Sequence, residues 1–202
     1  MIETLFLLVA DYGVLAIGLA AFLSCLFLPI PTSLLMLTGG AFGASGDLEV
    51  AEVAGAAFVG AVLGDQVGFR IGRWGGEAIL DRIARNEARA RVLARARRVV
   101  ERRGGVGVFF STWAVAPLGP WVNLVAGALG MNPLRFTLWD IAGEAIWVTL
   151  YVGLGYLFAD NIETVAGLMS NLSGALATGV VALLLGLWLR AALRAERKRD
   201  KA

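Results

Sequence analysis

Long apolar runs alternate along this chain with short polar or charged stretches. The pattern predicts helical membrane spans at residues 5–28, 50–71, 134–158 and 165–189, each longer than the roughly 18 residues that cross a hydrocarbon core. Two shorter apolar stretches, near 29–46 and 114–131, are broken by Pro and Gly at corresponding places. The first runs Pro29-Ile30-Pro31 and then Gly39-Gly40-Ala41-Phe42-Gly43. The second runs Pro117-Leu118-Gly119-Pro120 and then Ala126-Gly127-Ala128-Leu129-Gly130. Both are predicted as re-entrant hairpins, with turns at Pro29, Pro31 and Gly40 and at Pro117, Gly119, Pro120 and Gly127. Each precedes an apolar segment with a Gly-acid pair, Gly64-Asp65 or Gly143-Glu144. Paired interrupted segments in two halves of a chain are the trace of an inverted repeat around a midplane site. The predicted fold class is therefore an all-α integral membrane protein. It has an inverted repeat of re-entrant hairpin plus transmembrane helix, flanked by N- and C-terminal spans.

Composition agrees. The chain is 58% hydrophobic and 17% charged, unlike a soluble domain, and its 26 glycines suit close helix packing. Met1-Ile2-Glu3 lacks a positive n-region and the apolar stretch after it is long for a signal peptide, so it is expected to stay as a span. One membrane domain over 1–192 is expected, with a basic tail at 193–202.

Charge orients the domain. Eleven Arg lie in 70–103 and six Lys or Arg in 190–202; Arg135 is the remaining one of 18 basic residues. The positive-inside rule puts 77–103 and the C-terminus in the cytoplasm, so the two hairpins open to opposite sides. Residues 77–103 have apolar positions at Ile79, Leu80, Ile83, Val92, Leu93, Val99 and Val100, predicting a cytoplasmic amphipathic helix with a weak stretch at 84–90. It reads as a connector lying on the membrane or as a collector of anionic head groups. Tied to the membrane at both ends, it is not expected to bind nucleic acid.

With no His, and Cys25 the sole cysteine, a zinc or haem site of the usual kind, a Ser-His pair and an internal disulfide are all excluded. No cofactor and no metal site is expected, nor enzymatic activity. Gly60, Gly64, Gly68, Gly72 and Gly76 form a small-residue ladder for helix packing, and it places Asp65. Asp65, inside an apolar span, reads as a pathway residue or as half of an ion pair. Asp140, Glu144, Trp147 and Tyr151 share one helix face. Two carboxyls one turn apart resist double ionisation, so a shared proton would suit a proton-coupled carrier. The rival reading hydrates Asp140 at the interface. Arg70 and Arg73 are the nearest cations for a phosphate, or they snorkel. Ser111, Thr112 and Asn123 either satisfy backbone or contact substrate.

At these residues the chain resembles the DedA family of VTT-domain membrane proteins. Gly60-Ala61-Val62-Leu63-Gly64-Asp65, continuing through Phe69-Arg70-Ile71-Gly72-Arg73 to Gly75-Gly76, is similar to the family's G-x-x-x-G-D…Y-x-x-G-R-x-x-G signature. Phe136, Asp140, Gly143 and Trp147 fit F-x-x-x-[ND]-x-x-G-x-x-x-W, and Ala126-Gly127…Met131 fits A-G-x-x-x-M. Phe22-Leu23 with Pro29-Ile30-Pro31 resembles the F-L-E…P-x-P-x-E opening, and the resemblance covers roughly 22–158. Ser24 and Ser33 replace two glutamates of the family, Thr112 replaces an arginine, and a further arginine near Gly119 is missing. The resemblance implies a lipid flippase or scramblase of the bacterial inner membrane that moves undecaprenyl phosphate or a phospholipid. It also implies proton coupling, which the missing charges put in question. Asp65 and Glu144 would be the polar or proton-linked elements, with Thr112 and Asn123 as head-group contacts. The rival readings are a proton- or ion-coupled carrier of a small soluble solute, a membrane-embedded lipid enzyme, and a scaffold. Homo-oligomers are compatible with each.

Overall fold

The computed structural model describes residues 2–159; the predicted span at 165–189 and the tail at 193–202 lie outside them. The described residues are helical, with no strand among them. In order they form α1 (Ile2–Ser24), α2 (Thr32–Ser45), α3 (Val50–Ala84), α4 (Glu87–Arg103), α5 (Gly105–Trp113), a 3₁₀ turn (Ala116–Leu118), α6 (Gly119–Ala128) and α7 (Pro133–Leu157). Among the described residues, α3 is the one helix both long and apolar enough to cross a membrane; Gly13–Ser24 of α1 is apolar but shorter. α7 has the expected bounds but carries Arg135, Asp140 and Glu144.

The proline stretches do turn the chain, but not as hairpins within the predicted bounds. Thr32–Ser45 is one helix of 14 residues, so the first turn spans 25–31, between the end of α1 and α2. The bonds Ile30 N–H to Leu28 O and Thr32 N–H to Ile30 O, both 2.8 Å, close it tightly around two prolines that cannot donate. The second turn spans 114–118, between α5 and α6. Gly40 and Gly127 therefore sit inside helices, not at turns. The reason is packing. A Cβ on Gly40 would strike the Val152 carbonyl, and one on Gly155 the Leu37 carbonyl, so α2 and α7 meet backbone to backbone. Gly127 against Phe69 O and Gly72 against Leu124 O join α6 to α3 in the same manner.

α2 thus packs on α7 and α6 on α3, while α1 packs on α3 and α5 on α7. Gly60 abuts α1 at Gly18, and Gly143 abuts α5 at Phe109.

Residues 77–103 form two helical pieces where one was expected. Gly76, with φ 52°, redirects the end of α3, and Asn86 caps α4 by accepting from Ala88 N–H (3.0 Å) and Arg89 N–H (3.2 Å). The break falls in the stretch where the apolar pattern weakens. α4 buries Leu93, Ala96 and Val100, and Arg97 bridges Glu77 (3.0 Å) and Glu101 (2.8 Å) on its exposed side. Asn86→Ala is expected to cost about 1 kcal/mol of helix stability, read as faster proteolysis confined to 85–103.

The side chains divide opposite to those of a soluble bundle. Leu15 is 79% exposed and Trp74 84%, with Leu19, Val59, Leu63, Leu138 and Leu157 also outward, while Asp65, Asn123, Asp140 and Glu144 are buried. A lipid solvent favours that arrangement. Two apolar cores lie within. One joins Ile17 and Ala21 to Met36, Val53, Ala61, Trp147 and Val152. The other joins Phe69 to Leu93, Val122, Val125 and Phe136. α3 and α7 run through both in opposite order, so they are antiparallel.

Candidate functional site

Between the two cores the long helices present acids. On α3, Asp65 follows Ala61 of the first core and precedes Phe69 of the second. On α7, Asp140 and Glu144 lie between Phe136 of the second core and Trp147 of the first. Glycine at 64 and 143 lets α1 and α5 close on these helices just there. Phe69 and Phe136 stack beneath the acids, with ring centroids 4.3 Å apart. The three carboxyls are 2%, 0% and 2% exposed, which shuts out bulk water as a source of compensation.

The Asp65 carboxyl lies within hydrogen-bonding reach of Asp140 and Glu144 and of the Cys25 thiol. Asp140 Oδ2 accepts from Gln66 Nε2 (3.3 Å), and Thr137 Oγ1 donates to Gln66 Oε1 (3.3 Å). Asp140 Oδ1 and Glu144 Oε2 have no partner. Among the described residues no basic side chain pairs with any of the three; the ion pairs there belong to Arg97. A carboxylate can only accept, so adjacent carboxyls need a proton or a cation between them. Leaving all three charged and uncompensated would cost several kcal/mol per ion.

A cavity of about 750 Å³ opens onto this floor. The first proline turn lines it through Phe27 and Pro29, with Thr32 and Ser33 at the start of α2, and the second through Pro117, with Trp121 of α6. Phe27 and Trp121 meet edge to face at 4.9 Å, which ties the first turn to α6. Phe27 holds φ 68°, a left-handed conformation that costs a non-glycine residue roughly 1 kcal/mol or more. Asp65, Glu144, Thr112, Cys25 and Trp147 reach the cavity from below, and Arg89 of α4 is its one cation among the described residues. The volume falls within the range of small-molecule sites, about 300–1,000 Å³.

The structure thus brings together Asp65, Asp140, Glu144 and Thr112, though the Thr112 hydroxyl donates to Phe109 O (2.7 Å). It leaves out three expected residues. Arg70 is exposed on the outer side of α3, and Arg73 donates to Met131 O (3.0 Å) at the surface; neither lines the cavity. Asn123 is fully buried against α3 near Gly68, with both side-chain polar atoms unpartnered, and is also outside the cavity. Cys25, Trp121 and Arg89 were missed. No local motif marks them, because they come from the end of α1, from α6 and from α4 and meet only in the folded chain.

The VTT domain matches residues 28–157. An uncharacterized membrane protein of Synechocystis, slr0232, is 36% identical over 166 residues, 81% of this chain and 75% of that one. An alkaline phosphatase-like protein of Lactococcus lactis subsp. cremoris is 24% identical over 94% of this chain and 91% of its own. Protein DedA of Escherichia coli is 28% identical over 64% of this chain and 59% of its own. No solved structure gives a significant match.

Proposed function

This chain belongs to the DedA family of VTT-domain membrane proteins, and from that premise we propose that it moves a lipid between the leaflets of a bacterial inner membrane. Undecaprenyl phosphate or a phospholipid is the cargo. The observation that carries this reading is the cavity between the two proline turns, floored by acids and rimmed by half-exposed Phe27 and Leu28. A polar head group would enter it while the acyl chains stay in the surrounding lipid. Ser33, Thr32 and Thr112 offer hydroxyls to the head group, and Arg89 is the cation placed to meet a phosphate, the part first assigned to Arg70 and Arg73. Asp65, with Asp140 and Glu144, would carry the protons that couple the step to the membrane gradient. The missing glutamates and arginines do not remove that capacity, because Asp65 meets both Asp140 and Glu144.

Leaflet exchange in proteoliposomes tests the reading, comparing undecaprenyl phosphate with phospholipids, with and without a proton gradient. Gradient-dependent movement of one lipid is expected. Gradient-independent movement would make the protein a scramblase. Uptake of a soluble solute with no lipid exchange would replace the proposal by a solute carrier. Release of inorganic phosphate from the lipid would replace it by the chemistry that the lactococcal relative's name suggests.

A further inference from the structure

The floor of the cavity holds a second chemistry that proton transfer does not require. Cys25 at the end of α1, Asp65 on α3 and Glu144 on α7 place a sulfur and two carboxyl oxygens within 4.8 Å of one another, and all three residues are buried. They stand far apart in sequence, so no ligand spacing reveals them. Two further groups point to something absent from the protein itself. Glu144 Oε2 is buried without a partner, and so is Nε1 of Trp147, which is 93% buried by its 7% exposure and lines the same cavity.

We propose that Cys25, Asp65 and Glu144 form a binding site for a divalent transition-metal ion of the zinc or cobalt kind, entered from the cavity. A tetrahedral ion with sulfur and oxygen ligands sets them about 3.3–3.5 Å apart. The trio therefore closes by roughly an ångström, within reach of side-chain rotation. A thiolate with two carboxylates favours a borderline ion over magnesium or calcium, which prefer all-oxygen shells. A dication offsets the negative charge that Asp65 and Glu144 would otherwise bring together. The fourth position faces the cavity, where water or a head-group oxygen would bind and Trp147 N–H would donate to it. Binding releases the thiol proton and any carboxyl proton that the ion displaces. The inference stands apart from the identity of the transported molecule, since it concerns occupancy alone.

The test uses the full chain in detergent, carrying no polyhistidine tag, titrated with Co²⁺. A thiolate-to-cobalt absorption in the near ultraviolet is expected, saturating at one ion per chain and bleached by Zn²⁺. Cys25→Ser should lose that band, and Asp65→Asn and Glu144→Gln should each weaken binding at least roughly tenfold, while Glu52→Gln on the exposed start of α3 changes nothing. Because these variants can fail to fold, the unaltered protein supplies a second reading. Cys25 is its sole cysteine, so Zn²⁺ should slow maleimide labelling and a chelator should restore it. Absence of the near-ultraviolet band, or labelling at one rate with and without saturating Zn²⁺, overturns the proposal.

Discussion

Asp65→Asn should abolish gradient-driven lipid exchange, lowering it on the order of 100-fold, while the protein remains folded. Asparagine preserves volume and can still hydrogen-bond, but it cannot take up and release a proton. Asp65 is the central member of the cluster: it touches Asp140, Glu144 and Cys25, and it lines the cavity itself. Asp140 lies behind it, bonded to Gln66 and outside the cavity lining, so Asp140→Asn should have a smaller effect than Asp65→Asn. The measurement is exchange rate against proton gradient for both variants, with size-exclusion profiles to establish folding. Full activity in Asp65→Asn would remove the acids from the mechanism.

The second large effect falls on the fold. Gly72→Val should destabilise the protein by about 3 kcal/mol or more, lowering its thermal midpoint in detergent by roughly 6–12 °C. The obstructing atom is the Leu124 carbonyl oxygen of α6, and backbone cannot swing aside as a flexible side chain can. Gly55→Val on the same helix is the matched control, since a Cβ there meets nothing within 4 Å. Equal midpoints for the two variants would show that α3 and α6 do not depend on this close approach.

Those glycines also show what could be read in the sequence and what could not. The prolines at 29, 31 and 117 lie between the long helices, where a missing donor and a fixed φ act locally, whereas Gly119 and Pro120 open α6. Gly40 and Gly127 were misplaced because a glycine in an apolar stretch signals either a break or a tight helix contact. Only the neighbouring helix decides which. Asp140 and Glu144 were legible as a pair from their spacing. Their meeting with Asp65 depends on how α3 and α7 pack, which the spacing within one helix does not carry. Arg70 and Arg73 looked near the site along the chain, yet Arg70 is exposed, Arg73 donates to Met131 O, and neither lines the cavity. Arg89 lines it instead, because the chain breaks at Gly76 and Asn86 before α4.

In the proposed function, the head group crosses through the cavity between the two turns. The most direct measurement is lipid exchange by a Cys25→Ala protein bearing Ser33→Cys at the start of α2, before and after coupling to a bulky maleimide. Ser33 lines the cavity, whereas Val59 faces outward on α3 and serves as the labelled control. Labelling at 33 should drop exchange to the protein-free rate, while labelling at 59 should leave it unchanged. Exchange continuing at full rate with position 33 completely labelled would contradict it.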